Sequence, residues 1–184
     1  MIQVQDRKTL GLTLNQLDLI GLGAEIGVAY GENAEYILNH WKGSGIFLID
    51  PYNREACGEY IDGSSVIDFD GAWDYMQNKL RFHKTRTLAL RMTSDLAAPL
   101  IGDHTLDFVY IDGNHHNPQF QRDLDTWYPK VKPGGILGGH DYYDRDTPEY
   151  RCEVKATVDA FIKTVPYTNF YTTECSSWWL HKDT

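Results

Sequence analysis

The chain is 184 residues long, 42% apolar and 13% aromatic, with a formal net charge of -9 at pH 7. That length suits one domain with a full core, and the acidic balance argues against nucleic acid as a partner, because phosphate affinity rests on clustered Lys and Arg. Cys57, Cys152 and Cys175 are odd in number and form no Cys-x-x-Cys pair, so neither a disulfide framework nor a zinc site is expected.

A reduced, cytoplasmic setting is then the default, and no stretch has membrane-spanning length. The polar opening residues lack a signal peptide's apolar run. Leu10, Leu14 and Leu17 recur at i, i+4 and i+7 and predict a leading helix. Gly21 and Gly23 are expected to end it or to form the turn after it. A strand over 24–28 runs into Glu25-x-Gly27-x-x-x-Gly31. A helix follows, with Ala34, Ile37, Leu38 and Trp41 on its buried face, and a second strand over 46–50 stops on Asp50. No period is visible over 51–70, which predicts a loop beyond the sheet edge of the kind that serves as a lid.

A helix over 72–83 and a short strand over 87–91 lead to Thr93-Ser94-Asp95, a capping sequence. Residues 106–112 form the strongest strand, a nearly continuous apolar run suited to a central parallel position covered on both faces. It ends in Asp112-Gly113-Asn114-His115-His116-Asn117-Pro118, where Asn117 and Pro118 suit the cap and first position of a helix. That helix carries Phe120, Leu124, Trp127 and Val131 and stops at a Lys132-Pro133-Gly134-Gly135 turn. A strand over 136–139 then ends in His140-Asp141. A loop over 141–150 leads to a last helix marked by Val154, Val158, Phe161 and Ile162. Two strands, 167–173 and 177–181, close the chain, with Trp178 and Trp179 on opposite faces, one toward the core and one outward. Strand and helix alternate five times before this pair. The pattern predicts an α/β fold: a doubly wound, mostly parallel seven-stranded sheet with one antiparallel strand from a C-terminal hairpin, in a single domain over 1–184.

The Glu25-x-Gly27-x-x-x-Gly31 turn and Asp50 form a strand, glycine turn, helix and second strand in sequence. Glycines allow close backbone approach and positive φ, free N–H groups at a helix start face a ligand, and an acid closing the second strand reaches a ribose diol in the crevice. A plain tight turn is the alternative. Gly21-Leu22-Gly23-Ala24-Glu25-Ile26 lacks the third glycine of a dinucleotide fingerprint. A carboxylate at the strand tip repels a pyrophosphate and tolerates a cationic cofactor.

The glycine turn with Asp50, then Asp107-Phe-Val-Tyr-Ile-Asp-Gly-Asn-His115, then Lys132-Pro-Gly-Gly-Ile-Leu, then His140-Asp-Tyr142, resemble the ordered motifs of class I S-adenosylmethionine-dependent methyltransferases. The closest branch in type is that of small O-methyltransferases, including macrolide-sugar and catechol-type enzymes. The resemblance implies S-adenosylmethionine as cofactor, contacted by Glu25, Gly27, Tyr30, Gly31, Asp50, Ser94, Asp95 and Asp112. It implies His115 as general base, beside Asp112, for a hydroxyl of a small-molecule acceptor; the bland reading has His115 only building the polar turn. In metal-dependent relatives the corresponding positions hold a divalent cation, here Asp112, Asp141 and His140, the last where an acid is expected. That nitrogen weakens the case for a metal or shifts the choice from magnesium toward manganese or another transition metal. Equally open is that Asp112 contacts cofactor or substrate while His140 orients Asp141 by hydrogen bonding. A homodimer that completes the lid, a nicotinamide-dependent dehydrogenase and a non-catalytic cofactor-binding protein are the remaining alternatives.

Overall fold

The computed structural model describes residues 2–53 and 68–184. The expected lid segment lies largely outside them. Helix α1 (Leu10–Gln16) precedes strand β1 (Leu22–Ile26), α2 (Glu32–His40) and β2 (Gly45–Ile49). Helix α3 (Phe69–Lys79) and β3 (Thr87–Leu90) follow, then the short α4 (Ser94–Ala97), β4 (Leu106–Ile111) and α5 (Gln119–Trp127). The last part comprises β5 (Val131–Gly139), a hairpin of β6 (Asp144–Thr147) and β7 (Tyr150–Glu153), α6 (Val154–Phe161), β8 (Tyr167–Thr172) and β9 (Trp178–Lys182).

Seven strands form one sheet in the order β3-β2-β1-β4-β5-β9-β8. Strands β1 to β5 pair in parallel, and β9 runs antiparallel to both its neighbours. The expected sheet, with its single antiparallel strand, is therefore present. Helices α1, α2 and α3 cover one face, packing Leu14, Ile37, Leu38, Ala72 and Met76 against Ile46, Leu48, Phe108 and Tyr110. Helices α4, α5 and α6 cover the other, with Ala97, Phe120, Leu124, Trp127 and Val158 against Ile26, Val109 and Ile111. Every residue of β4 is buried, as an apolar run covered on both faces requires.

Four local expectations are corrected. Gly23 lies inside β1, which starts earlier than the apolar run suggested, because the Phe108 ring occupies the space of its side chain: an added Cβ would stand 2.0 Å from the ring. Val131 ends no helix. It opens β5, and the Lys132-Pro133-Gly134-Gly135 segment bulges within that strand, where pairing jumps from Leu106↔Val131 to Phe108↔Ile136. The stretch after Asp141 is a hairpin and no simple loop. Trp178 and Trp179 do face opposite ways, and both are fully buried, one in each helix layer. The strand they belong to is covered on both sides, so neither points to solvent.

Register positions the site. Ile26 pairs with Ile49 and Ile111, and Ile111 with Gly139. The next residues, Gly27, Asp50, Asp112 and His140, therefore leave the sheet side by side at its carboxyl edge, where open α/β sheets bind ligands.

Candidate functional site

Gly27 has φ +82, and a Cβ there would stand 2.1 Å from the Asp112 carbonyl oxygen. The glycine is thus required by contact between the β1 turn and the end of β4, as well as by its left-handed backbone. Gly31 has φ +75 and opens α2. Asp50 braces the turn from the neighbouring strand: its Oδ2 accepts from the Val28 and Ala29 amides at 2.9 and 3.0 Å, and its Oδ1 accepts from the Tyr52 amide at 2.9 Å. The Tyr52 hydroxyl donates to the Ala29 carbonyl at 2.7 Å. Ala29, Tyr52 and Asp141 carry φ of 46, 44 and 54. Such non-glycine strain persists where surrounding structure over-determines it, commonly at functional sites.

Glu25 is 1% exposed, near the end of β1. Asn33, from the first turn of α2, donates to its Oε1 at 3.2 Å, while Oε2 is buried with no hydrogen-bond partner among the described residues. Burial pushes this carboxyl up to about 8, helped by the nearby negative charges of Asp112 and Asp50 and opposed by Asn33 and Arg7. An orphaned buried oxygen of this kind is costly alone and suits a site completed by a cationic ligand.

The second half of the site is a cluster of acids and histidines. His115 is 6% exposed and lies between two carboxylates, with Nδ1 3.3 Å from Asp141 Oδ2 and Nε2 3.5 Å from Asp112 Oδ1. His140 Nδ1 stands 2.8 Å from Asp141 Oδ1. The hydrogen bond to Asp141 holds the His140 imidazole above its usual range. Burial pushes the Asp141 carboxyl up, but the His140 hydrogen bond and the charges of His115 and His140 outweigh it, so the group ends below the carboxylate norm.

One ligand atom from each of Asp112, His115 and Asp141 lies within 4.8 Å of the other two. The expected ion-binding set is thus placed differently: His115 joins the two acids, and His140 stands behind Asp141 as its hydrogen-bond partner. Two carboxylates and one imidazole fit manganese or another transition metal better than magnesium, which favours an all-oxygen shell.

Residues 24–142 match the family described as a methyltransferase domain. The chain belongs to that family. Three solved methyltransferases share its fold at low identity. TomG, an O-methyltransferase of tomaymycin synthesis from Streptomyces achromogenes seen with SAM, is 13% identical with a TM-score of 0.65, over 99% of this chain and 82% of the other. An O-methyltransferase from Bacillus cereus in complex with SAH is 11% identical, TM-score 0.62, over 98% and 84%. The Burkholderia thailandensis 1,6-didemethyltoxoflavin-N1-methyltransferase is 10% identical, TM-score 0.63, over 97% and 77%. Oxygen and nitrogen acceptors both occur on this architecture, so the acceptor atom has to be argued from the methyltransferase's own residues. Membership in this family sets aside the dehydrogenase alternative. No helix among the described residues is long and apolar enough to cross a membrane.

The remaining expected cofactor residues of this methyltransferase are more dispersed. Tyr30 is 39% exposed and packs edge-on against Tyr75 of α3, ring centroids 5.8 Å apart. Ser94 is buried and donates to Asp123 of α5, which also accepts from Gln119 at 3.0 Å. Burial pushes the Asp123 carboxyl up to about 6 against those two hydrogen bonds. Asp95 is more open and lies 3.8 Å from Arg122. Ser94 therefore ties α4 to α5, and Asp95 faces solvent at the same junction.

Sequence reasoning missed Arg7 and Asn33. Arg7 Nη1 lies 3.6 Å from Asp112 Oδ2. The signal available was the Asp6-x-x-Thr9 capping box ahead of the Leu10 stripe, which fixes the turn that carries it. Asn33 had none, since its pairing with Glu25 is set by packing.

Proposed function

We propose that the protein is an S-adenosylmethionine-dependent O-methyltransferase that acts on the hydroxyl of a small molecule of sugar or phenol type, with His115 as general base. The observation that carries this reading is adjacency: the Gly27 turn touches the Asp112 backbone, so the cofactor cradle and the His115 cluster share a wall. S-adenosylmethionine, when bound, supplies an activated methyl group for in-line displacement. Glu25, the Gly27 and Gly31 turn and Asp50 bind it; Asp50 keeps one acceptor site on Oδ1 for a ribose hydroxyl while bracing the turn.

His115 takes the proton from the acceptor hydroxyl, a step that a neutral amine, attacking through its own lone pair, needs less. Asp112 and Asp141 orient the ring and face the positive charge that develops on it. Holding acceptor and methyl group in line supplies much of the rate. Isothermal calorimetry with S-adenosylhomocysteine tests the cofactor half: binding is expected in the wild type and a collapse in Asp50→Ala, and unchanged affinity would overturn the assigned pocket. A hydroxyl-acceptor screen with radiolabelled cofactor tests the transfer half; methylation of amines alone would overturn the O-specific reading.

The convergence of Asp112, His115 and Asp141 favours a second reading, in which these three hold a divalent cation. Such a cation would polarise the acceptor oxygen as a Lewis acid. His115 cannot then be the base. Activity that survives exhaustive chelation supports the base; activity lost to chelation and restored by manganese supports the ion.

A further inference from the structure

Arg7 lies outside the glycine turn and the strand-end motifs, yet among the described residues it is the arginine paired with Asp112 of the site. The Asp6–Thr9 turn that carries it is closed by reciprocal bonds, the Asp6 side chain accepting from the Lys8 amide at 3.1 Å and Thr9 Oγ1 accepting from the Asp6 amide at 3.1 Å. The segment before it is tied to the far side of the sheet, where the Val4 amide donates to the Tyr171 hydroxyl of β8 at 2.7 Å. This strap holds the Arg7 side chain beside Asp112. Its charge is felt by Glu25, Tyr110 and His140 as well.

The separation of 3.6 Å from Asp112 is an ion-pair distance and too long for a hydrogen bond. The Arg7 side chain is 35% exposed, and the ion pair with Asp112 takes none of the guanidinium's five N–H donors at hydrogen-bond distance. The methionyl end of S-adenosylmethionine carries a carboxylate and an ammonium on one carbon. A site for it needs a cation and an anion side by side, next to the glycine turn and away from the ribose-facing acid. Arg7 and Asp112 are such a pair: Asp112 abuts Gly27, and Asp50 lies on the strand at the other side of β1.

We propose that Arg7 binds the carboxylate of the cofactor's methionyl end, with Asp112 facing the ammonium, so that the N-terminal strap is a working part of the cofactor site. The proposal rests on the cofactor reading above. A planar guanidinium suits a carboxylate through paired N–H donors, and a charge-assisted bond of that kind corresponds to roughly 10- to 100-fold in affinity.

The test is calorimetry on the full chain with S-adenosylmethionine and with its decarboxylated analogue, which keeps the sulfonium and ammonium and lacks only the carboxylate. The wild type is expected to prefer the carboxylated form by at least about 10-fold. Arg7→Gln should lose that preference while holding its affinity for the decarboxylated analogue, and Arg7→Lys should keep part of it. Equal affinity for the two compounds in the wild type would overturn the proposal without need of any variant. So would an Arg7→Gln protein that still discriminates, one that weakens both compounds alike, or one that changes only the acceptor's KM. A wild type that binds neither compound, nor S-adenosylhomocysteine, would instead defeat the cofactor reading on which the proposal stands.

Discussion

The backbone of Gly27 rests against the carbonyl of Asp112, with room for no side chain: a Cβ would stand 2.1 Å from that oxygen. The turn expected to cradle the cofactor and the strand end carrying the acid beside His115 are thereby locked in register.

Gly27→Ala is expected to be severe for two independent reasons, the clash with Asp112 and the φ of +82. A loss of at least about 2 kcal/mol in unfolding free energy is expected, with S-adenosylhomocysteine binding lost even where the variant still folds. Gly113→Ala is the control. Its Cβ would meet Ile26 at 3.7 Å, an ordinary contact, and thermal melting should change little.

His115→Gln should keep cofactor affinity and lose turnover by about 10²- to 10⁴-fold, the range for a positioned general base. Partial rescue by added imidazole in His115→Ala would identify the lost function as proton transfer. Full activity in the glutamine variant would dismiss the assignment.

Glu25 ties stability to pH with a definite sign. Burial raises its folded pKa from 4.5 to about 8, so between those values the folded chain holds a proton that the unfolded chain has released. The stabilisation is fully present below about pH 4.5 and is lost as pH rises through 8, at up to about 1.4 kcal/mol per unit. Glu25→Gln keeps a neutral side chain throughout. Its melting temperature should match the wild type near pH 4 and exceed it increasingly from about pH 5 to 8; parallel curves would sink the argument.

Gly23→Ala separates architecture from site. The added carbon would sit 2.0 Å from the buried Phe108 ring, and overpacking of this kind costs about 1–3 kcal/mol. Denaturant melts should register that loss, while cofactor affinity in the folded fraction should stay within a factor of about three.

The parts of this protein legible in the sequence are those written in local pattern. The uninterrupted apolar run of β4 identified a central strand, the spacing from Glu25 to Gly31 identified the turn, and Asp50, Asp112 and His140 were each visible as polar residues closing apolar runs. What escaped was set by tertiary contact. Gly23 belongs to a strand only because Phe108 sits across from it, and nothing local reveals that. The Lys132–Gly135 segment has turn chemistry and makes a bulge, since β4 offers pairing partners on both sides of it. His115 and His140 carry the same type of side chain at comparable strand ends, and which one meets both acids is decided by where Asp141, with φ 54, directs its carboxylate.

Several contacts stitch the β6–β7 hairpin to the carboxyl edge of the sheet: the Glu153 amide donates to the His115 carbonyl at 2.9 Å, Cys152 Sγ lies 3.6 Å from the Asp141 carbonyl, the Glu153 carboxylate accepts from the Asn117 amide at 2.9 Å, and His116 Nε2 lies 2.9 Å from the Arg151 carbonyl. Whatever grips this appendage therefore tugs on the peptide of the histidine itself. On the function proposed above, a foreign hairpin grafted here would displace the proposed base along with the segment it replaces.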